Sequence, residues 1–455
     1  MINNENIHQE NKMGIMPVNK LLVTMSVPMI ISMLIQALYN IVDSMFVAYV
    51  SENALTAVSL AFPIQNLMIA FGTGVGVGVN SLLAKGLGEK DYKSTEKTAG
   101  AGIFIMLVLY VIFAAFGILG TRTFFSLQTD NPEIIAYGIQ YLGICCICSF
   151  GALSQFLFEK ILQSTGKTMY TMLTQCVGAI INLILDPIMI FGYFGCPAMG
   201  VAGAAIATVI GQTVAGLLAL YINISRNKEI ALKLRAIRPN GSTIKKIFSV
   251  GAGSIVMMAL SSVMNFGMNT ILMGFTATAT AVFGIYYKLQ SFVFMPLYGL
   301  NNGMVPIISY NYGAEQLERV RKSIHLCLLY ATCFMIVCTA AFTCLPDLLI
   351  GIFNASETML EIGVTALRII GISLVFAGFS IICSSVFQPL GKGLYSVIVS
   401  VFRQTIPLLP LAFVLSLNGN VNTVWWAIPI VEIMAAAICA FGLRSTYKTT
   451  LEETF

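Results

Sequence analysis

The sequence predicts an all-α polytopic membrane protein with twelve transmembrane helices in two six-helix lobes that repeat one another. Three observations lead to this fold class. The composition is 57% hydrophobic and only 10% charged, which would leave a soluble protein covered in apolar surface. The chain divides into twelve long apolar segments, and its second half aligns with its first half at an offset of 225 residues.

Twelve segments have the length and composition of bilayer-spanning helices, which need about 20 mainly apolar residues. They are Leu21–Tyr49, Ala54–Leu83, Thr98–Gly120, Ile135–Leu162, Met169–Phe191, Met199–Ile224, Ile247–Phe275, Thr280–Ser309, Ser323–Leu345, Leu360–Phe387, Tyr395–Ser416 and Val424–Leu443. Residues 1–20 are rich in Asn, Glu and Gln and lack the apolar core and cleavage site of a signal peptide. We therefore expect 1–20 to be a cytosolic tail and the first helix to be retained.

The Lys and Arg residues give the predicted orientation, because cytoplasmic loops of membrane proteins are enriched in them. With the N-terminus inside, twenty of them fall on the inside and only Arg122 falls in an outside loop. The even number of spans then returns the tail 444–455 to the cytosol. We expect a multi-pass protein of a bacterial-type plasma membrane with both termini cytosolic. The net charge of +5 follows from this topology and does not indicate a nucleic-acid partner.

Glycine, glutamine and lysine residues at helix ends and in loops carry the repeat, since apolar helices match one another by composition alone. The matched pairs include Gln65 with Gln290, Gly74 with Gly299, Gly78 with Gly303, Gly88 with Gly313, Gln163 with Gln388 and Lys167 with Lys392. Each half has six spans, so the halves share one orientation and should be related by an axis along the membrane normal. We predict lobes at 21–224 and 247–443, joined by a cytosolic basic linker at 225–246.

Few acidic residues fall within the predicted spans. Each should have a partner or a function, because an acid at the centre of a spanning helix costs about 2.5–3.5 kcal/mol. Asp43 shares one face of the first helix with three polar residues at steps of three and four: Ser32, Gln36 and Asn40. Asp186 follows Asn182 by one turn on the fifth span. We predict that the two acids share an outward pocket of the first lobe; alternatively, they form interhelical hydrogen bonds that only hold the bundle together.

Glu159 and Glu432 are two of the other acids within the predicted spans. Glu159 continues a polar row that begins at Gln155 on the fourth span. Its function stays open, because Lys160 and the cytosolic Lys167 are close enough along the chain to pair with it or to snorkel to the interface. Glu432 stands alone in the last span.

The second half lacks the acids of the first. At the repeat offset, Asp43 aligns with Met268 and Asp186 aligns with Leu411. The predicted acidic site therefore belongs to the first lobe, and the second lobe is expected to supply packing or substrate lining. The second half instead carries basic residues in or near its spans: Lys288, Arg368 and Arg403. We expect these to snorkel to an interface or to pair with a neighbour.

Several common site motifs are absent or better explained by packing. Gly74 and Gly78 belong to a glycine-rich run inside a span, and no strand precedes them, which favours close helix packing over a nucleotide loop. The eleven Cys and two His have no metal-ligand spacing, so neither a zinc site nor a disulfide is predicted. No catalytic constellation converges across helices, and we predict neither an enzyme nor a cofactor.

Four patterns along the chain are those of a known family. They are Pro28 fifteen residues before Asp43, the stretch 39–43, the spaced residues Asn182, Asp186 and Pro187, and the run 200–208. Together they resemble the multidrug and toxic compound extrusion (MATE) transporters, in their MepA/DinF-like bacterial branch. The resemblance covers nearly the whole chain, and the patterns on the fifth and sixth spans are the most specific.

The resemblance implies roles for particular residues. It implies a cation site in the first lobe from four residues: Asp43, Asn182, Asp186 and Thr208. It also implies that the first helix bends at Pro28. The side chains expected to contact substrate are Gln36, Tyr39, Asn40 and Glu159.

The predicted function is exchange of an external proton or sodium ion for a lipophilic, often cationic, drug by alternating access. Burial and a second carboxylate nearby both favour the protonated form of a carboxyl group, so Asp43 and Asp186 are suited to take up protons. If the ion is Na⁺, the same two acids are its expected metal ligands. We expect drug-like molecules or organic cations and membrane lipids as partners, and a monomer.

A flippase for lipid-linked saccharides, from the related wider superfamily, is the main alternative. Lys288, Arg368 and Arg403 would serve it by holding a pyrophosphate. A basic central cavity that opens sideways to lipid would favour this alternative. An intramembrane enzyme is the third class considered, and turnover of a lipid substrate would support it.

Overall fold

The computed structural model describes residues 11–353 and 356–452, and the regular structure in these residues is helical throughout. The first lobe contains α1 (Lys12–Ile15), α2 (Val18–Ala48), α3 (Glu52–Gly88), α4 (Tyr92–Leu119), α5 (Thr121–Ser126), α6 (Pro132–Ile147), α7 (Phe150–Ser164), α8 (Thr168–Phe191) and α9 (Val201–Arg226). The second lobe contains α10 (Gly241–Met273), α11 (Ala277–Gly313), α12 (Leu317–Cys344), α13 (Pro346–Gly351), α14 (Glu357–Gly371), α15 (Leu374–Phe387), α16 (Gly393–Gln404), α17 (Leu408–Ser416), α18 (Val421–Val424) and α19 (Ala427–Thr446). Short helical turns lie at Tyr193–Gly195, Leu234–Ala236 and Tyr447–Glu452.

The candidate membrane spans of the described chain are consistent with the predicted twelve. Nine helical segments of the described chain are long and apolar enough to cross a membrane, and two bent pairs complete further spans. The pairs are α6 with α7, bent by 43°, and α14 with α15, bent by 47°. The remaining predicted span lies in α11, whose 37 residues are about 55 Å long at 1.5 Å per residue. Twelve spans are therefore consistent with the structure.

The internal repeat is confirmed by the helix boundaries. Both ends of α11, α12 and α13 lie 225 residues after the corresponding ends of α3, α4 and α5. The halves differ where α8 runs unbroken through Asn182 but its counterpart divides into α16 and α17. Pro407 lies in this break and Pro410 follows it, and proline can neither donate a helical hydrogen bond nor fit beside the preceding turn. The sequence difference thus explains the structural one.

Each lobe packs its first helix against the second helix of the other lobe. Glycines make this close approach possible. A Cβ atom on Gly74 or Gly78 of α3 would overlap α10, and one on Gly299 or Gly303 of α11 would overlap α2. The packing role predicted for Gly74 and Gly78 is confirmed, and their repeat mates have the same role.

The two lobes also meet at the end of the bundle where basic residues collect. This end, called the basic end below, carries Lys85, Lys167, Arg226, Lys246 and Arg319. Near it the hydroxyls of Ser81 and Ser309 lie 3.0 Å apart across the seam. Lys160 Nζ donates to Asn302 Oδ1 at 2.7 Å. The seam between the lobes is closed at these contacts.

Candidate cation and substrate site

The two intramembrane acids of the first lobe lie near the ends of α2 and α8, away from the basic end. Both helices start at the basic end and pack side by side, so their last turns come together. Asp186 is 0% exposed and Asp43 is half-buried. Their carboxyl groups lie within hydrogen-bonding reach of each other. The structure therefore brings together the two acids that the sequence assigned to one pocket.

Asn182 links the acid pair to the neighbouring helix α9. Its Nδ2 donates to Asp186 Oδ1 at 3.2 Å and to Thr208 Oγ1 at 3.3 Å. Helical spacing explains the first bond, since Asn182 lies one turn before Asp186 on α8. The four residues predicted for the cation site thus form one connected group across three helices.

Three oxygen atoms of this group are buried without a hydrogen-bond donor: Asp43 Oδ1, Asn182 Oδ1 and Asp186 Oδ2. Buried oxygens without partners are uncommon, because each forfeits its hydrogen bonds with water. Carboxylate, amide and hydroxyl oxygens are the ligands that hard cations prefer. A proton on one carboxyl group would join the two carboxyl groups by a hydrogen bond, whereas a cation between the oxygens could contact all three.

Aromatic and sulfur-containing side chains surround Asp43. Tyr39 lies one turn before Asp43 on α2 and lines the cavity beside the acids. Tyr141 and Cys145 on α6 lie within reach of Asp43, and Gln65 Nε2 donates to the Tyr141 hydroxyl at 3.3 Å. Tyr141 has no distinguishing signal in the sequence, because one tyrosine on an apolar helix looks like any core aromatic residue. Gln65 was visible only as a member of the repeat.

A polar cavity lies beside this group within the first lobe. Residues that line it include Gln36, Tyr39, Gln155, Gln175, Asn182 and Thr208. The cavity therefore contacts the acid group through α8 and α9 and reaches the amide of Gln155 on α7. Asn40, a further predicted contact residue, is exposed on α2 and is separate from this lining. Pro28 lies inside α2, which continues through it as one helix.

Glu159 lies at the far side of this cavity and is only 2% exposed. Three side chains donate to its carboxylate: Gln155 Nε2 at 3.0 Å, Thr174 Oγ1 at 3.0 Å and Gln175 Nε2 at 2.7 Å. Gln155 and Gln175 also line the cavity, so they separate the carboxylate from the space beside it. Glu159 thus fixes the orientation of two amides that face the cavity.

Among the described residues, neither Lys160 nor Lys167 forms a hydrogen bond or salt bridge with Glu159. Lys160 Nζ instead donates to Gln163 Oε1 at 2.9 Å and to Asn302 across the seam. Lys167 Nζ pairs with Glu229 at 2.8 Å. Adjacent residues of a helix point in directions about 100° apart, so Lys160 faces α11 while Glu159 faces α8.

The second lobe holds an ion pair that the sequence analysis missed. Arg403 on α16 donates from Nε and Nη2 to the two oxygens of Glu432 on α19, at 2.9 Å and 2.7 Å. The residues are only 9% and 8% exposed. The prediction that Glu432 stands alone is therefore wrong, and the expectation that Arg403 pairs with a neighbour is confirmed. Lys288 and Arg368 are exposed.

Comparison with known proteins gives a family match in both lobes. The MatE family model matches residues 28–188 and 254–414. The multidrug export protein MepA of Staphylococcus haemolyticus is 26% identical over 94% of this chain and 93% of its own length.

Solved structures share the fold. A MATE transporter in complex with MaL6 superposes with a TM-score of 0.90 at 24% identity, covering 97% of this chain and 99% of that one. The outward-facing conformation of a multidrug resistance MATE family transporter gives a TM-score of 0.89 at 24% identity, covering 96% and 97%.

Proposed function

Since this multi-pass membrane protein belongs to the MatE family, we propose that it is a multidrug efflux transporter that exchanges external H⁺ or Na⁺ for lipophilic, often cationic, drugs. Relatives that match along nearly their whole length are multidrug export proteins. We propose transport without any enzymatic activity. The observation that carries it is the group of Asp43, Asn182, Asp186 and Thr208 beside a cavity.

The acid group supplies the exchange. Two carboxyl groups that face each other in a poorly solvated site repel one another when both are ionised. A bound proton, sodium ion or cationic drug relieves this repulsion. Once one of these cations is bound, the site attracts a second one less strongly. Arrival of the ion therefore weakens the hold on the drug, and arrival of the drug weakens the hold on the ion, because coupling between two ligands is reciprocal.

The two-lobe architecture supplies alternating access. Lobes related by a repeat are able to rock against each other around a site between or within them. The contacts of Ser81 with Ser309 and of Lys160 with Asn302 close the seam near the basic end. The acids lie toward the other end, from which the proposed ion arrives.

Dye efflux from proteoliposomes tests the proposal and identifies the ion. An imposed proton gradient and an imposed sodium gradient are compared for the wild type, Asp43→Asn and Asp186→Asn. Asp130→Asn is the matched control, because Asp130 is an exposed acid in the loop before α6. Efflux driven by one gradient, lost in both site variants and kept in the control, supports the proposal. Equal efflux in the wild type and the site variants contradicts it.

The flippase alternative loses most of its basis. It required three basic side chains to hold a pyrophosphate, but Arg403 is neutralised by Glu432 in a bidentate pair. Lys288 and Arg368 are exposed on other helices. Absence of efflux under both gradients, with turnover of a lipid-linked saccharide, would reverse this conclusion.

A further inference from the structure

The short helix α1 lies across the seam between the lobes at the basic end. On the side of the first lobe, Asn11 Nδ2 donates to Thr165 O at 3.2 Å and to Glu229 Oε2 at 2.5 Å. Glu229 is also paired with Lys167. Burial and the neighbouring Lys167 lower the pKa of Lys12, and Glu229 partly offsets this effect. The start of α1 is thus tied to the two loops that follow α7 and α9.

On the side of the second lobe, one arginine holds the backbone of α1. Arg319 Nη2 donates to Met13 O at 2.9 Å and to Met16 O at 2.7 Å, and its Nε donates to Asn311 Oδ1 at 2.9 Å. Asn311 Nδ2 also donates to Met13 O at 3.0 Å. The Met13 side chain is 0% exposed and belongs to the apolar core of the second lobe. Gly14 lies directly against the ring of Tyr310.

The internal repeat explains why the described residues of the other half form no matching clamp. The chain before α10, at Leu234–Ala236, also packs on the opposite lobe, where a Cβ atom on Gly100 of α4 would overlap it. That segment is joined to both lobes through its own backbone. The described chain before α2, residues 11–17, meets the second lobe through hydrogen bonds and packing instead. The repeat mates of Arg319 and Asn311 are Ser94 and Gly86, which cannot form the same clamp.

We propose that α1, clamped by Arg319 and Asn311, is a latch that holds the lobes together at the basic end and must be released each time that end opens. The inference rests on the alternating access of the proposed function. Opening separates Ser81 from Ser309, and α1 cannot then keep its bonds to both lobes. Two residues join α1 to α2, so α1 stays with α2 and the bonds to Arg319 break.

Cysteine accessibility measures the latch directly. Ser309→Cys, in a background without the eleven native cysteines, places a thiol at a position that is 0% exposed in the closed seam. A membrane-impermeant maleimide is applied from the side that the basic end faces. Arg319→Ala removes the clamp, and Gly14→Leu pushes α1 away from Tyr310 without removing a hydrogen-bonding side chain. The matched control is Lys322→Ala, an exposed basic residue on the same helix.

We expect the labelling rate to rise about tenfold in Arg319→Ala and Gly14→Leu and to stay unchanged in Lys322→Ala. Arg319→Lys should rescue only in part, because a single ammonium group cannot reproduce the planar fork that reaches two carbonyls and an amide. The apparent KM for drug presented at the basic end should fall, since more of the protein is open to bind it.

Unchanged labelling in folded Arg319→Ala overturns the proposal. A lower melting temperature would not rescue it, because a residue that only stabilises the fold would lower the melting temperature without changing the labelling rate. If Gly14→Leu does not fold, Arg319→Ala alone decides. The test is separable from the proposed function. If labelling rises in Arg319→Ala but the protein shows no gradient-driven efflux, the latch is supported and the antiport proposal is contradicted. If efflux is present but labelling is unchanged, only the latch is contradicted.

Discussion

The two lobes share their helices but differ in the charges that those helices carry. In the first lobe, α2, α8 and α9 bring two acids, an amide and a hydroxyl together and leave three buried oxygens without donors. In the second lobe, the corresponding α16 and α19 hold one arginine and one glutamate in a bidentate pair. The two lobes share a helical scaffold, but the first carries a pair of acids and the second carries a neutral Arg–Glu pair.

Because of this difference, the site in the first lobe can change its charge by binding a cation, whereas the ion pair in the second lobe cannot. Acids that face each other favour the arrival of a cation, because the ionised pair repels itself. A bidentate Arg–Glu pair is neutral already, and breaking it in a poorly solvated region leaves an uncompensated charge. We infer that the first lobe carries the exchange and that the pair of the second lobe braces α16 against α19 beside the helix break.

The largest expected effect is on the stability of the second lobe. Arg403→Met leaves Glu432 buried without its partner, which should lower the free energy of unfolding by about 3–5 kcal/mol. The double variant Arg403→Met, Glu432→Leu should regain most of this loss, since a well-packed apolar pair often replaces a buried ion pair without cost. Thermal unfolding of the purified protein in detergent gives both values.

The double variant also tests the comparison between the lobes. We expect it to retain gradient-driven efflux, because the proposed exchange uses only the first lobe. A double variant that is stable but cannot transport would show that the Arg403–Glu432 pair takes part in the cycle, and the division of roles between the lobes would be wrong.

The second effect is on coupling in the first lobe. Asp186→Asn removes the more deeply buried of the two carboxylates. The ion and the drug should then no longer compete through the repulsion between the two acids. We expect drug affinity to lose its dependence on the coupling ion, a change of about 5–150-fold. Titration of drug binding at two ion concentrations measures it, with Asp130→Asn as the control. An ion dependence that survives the substitution would mean that another group carries the coupling.

Much of this arrangement was readable from the sequence, for physical reasons. Acids are rare in spans, so Asp43 and Asp186 stood out, and helical periodicity placed Asn182 beside Asp186. The packing of Gly74 and Gly78 was predicted because glycines inside a span, with no strand before them, allow helices to approach closely. The pairing of Arg403 with Glu432 was not readable, because the residues are 29 positions apart on different helices and no periodicity relates them.

The clamp on α1 was equally invisible in the sequence. Arg319 was counted as one of many basic residues that indicate topology, and its function depends on the fold of a short segment more than 300 positions away. Charge counting identifies the side of the membrane. It does not distinguish an arginine that faces water from one that holds a backbone carbonyl.

A third prediction concerns the amides that face the cavity. Glu159→Gln replaces a carboxylate that accepts from three donors with an amide that has only one acceptor oxygen. We expect a loss of about 1–2 kcal/mol in stability, and a higher KM for drug because Gln155 and Gln175 lose their fixed orientation. Thermal unfolding and concentration-dependent efflux measure these effects. A change in ion dependence without a change in KM would instead place Glu159 with the acid group.

The smallest effect is the one that distinguishes the ions. Thr208→Val removes the hydroxyl that accepts from Asn182, and we expect a stability loss of about 0.5–1.5 kcal/mol. A sodium ion needs several oxygen ligands, whereas a proton needs only one carboxyl group. Thr208→Val should therefore weaken efflux driven by sodium and spare efflux driven by protons, and Thr208→Ser, which keeps the oxygen, should behave as the wild type does. Equal loss under both gradients would mean that the hydroxyl acts by orienting Asn182 toward Asp186, and the acid pair alone would then be the site of exchange for either ion.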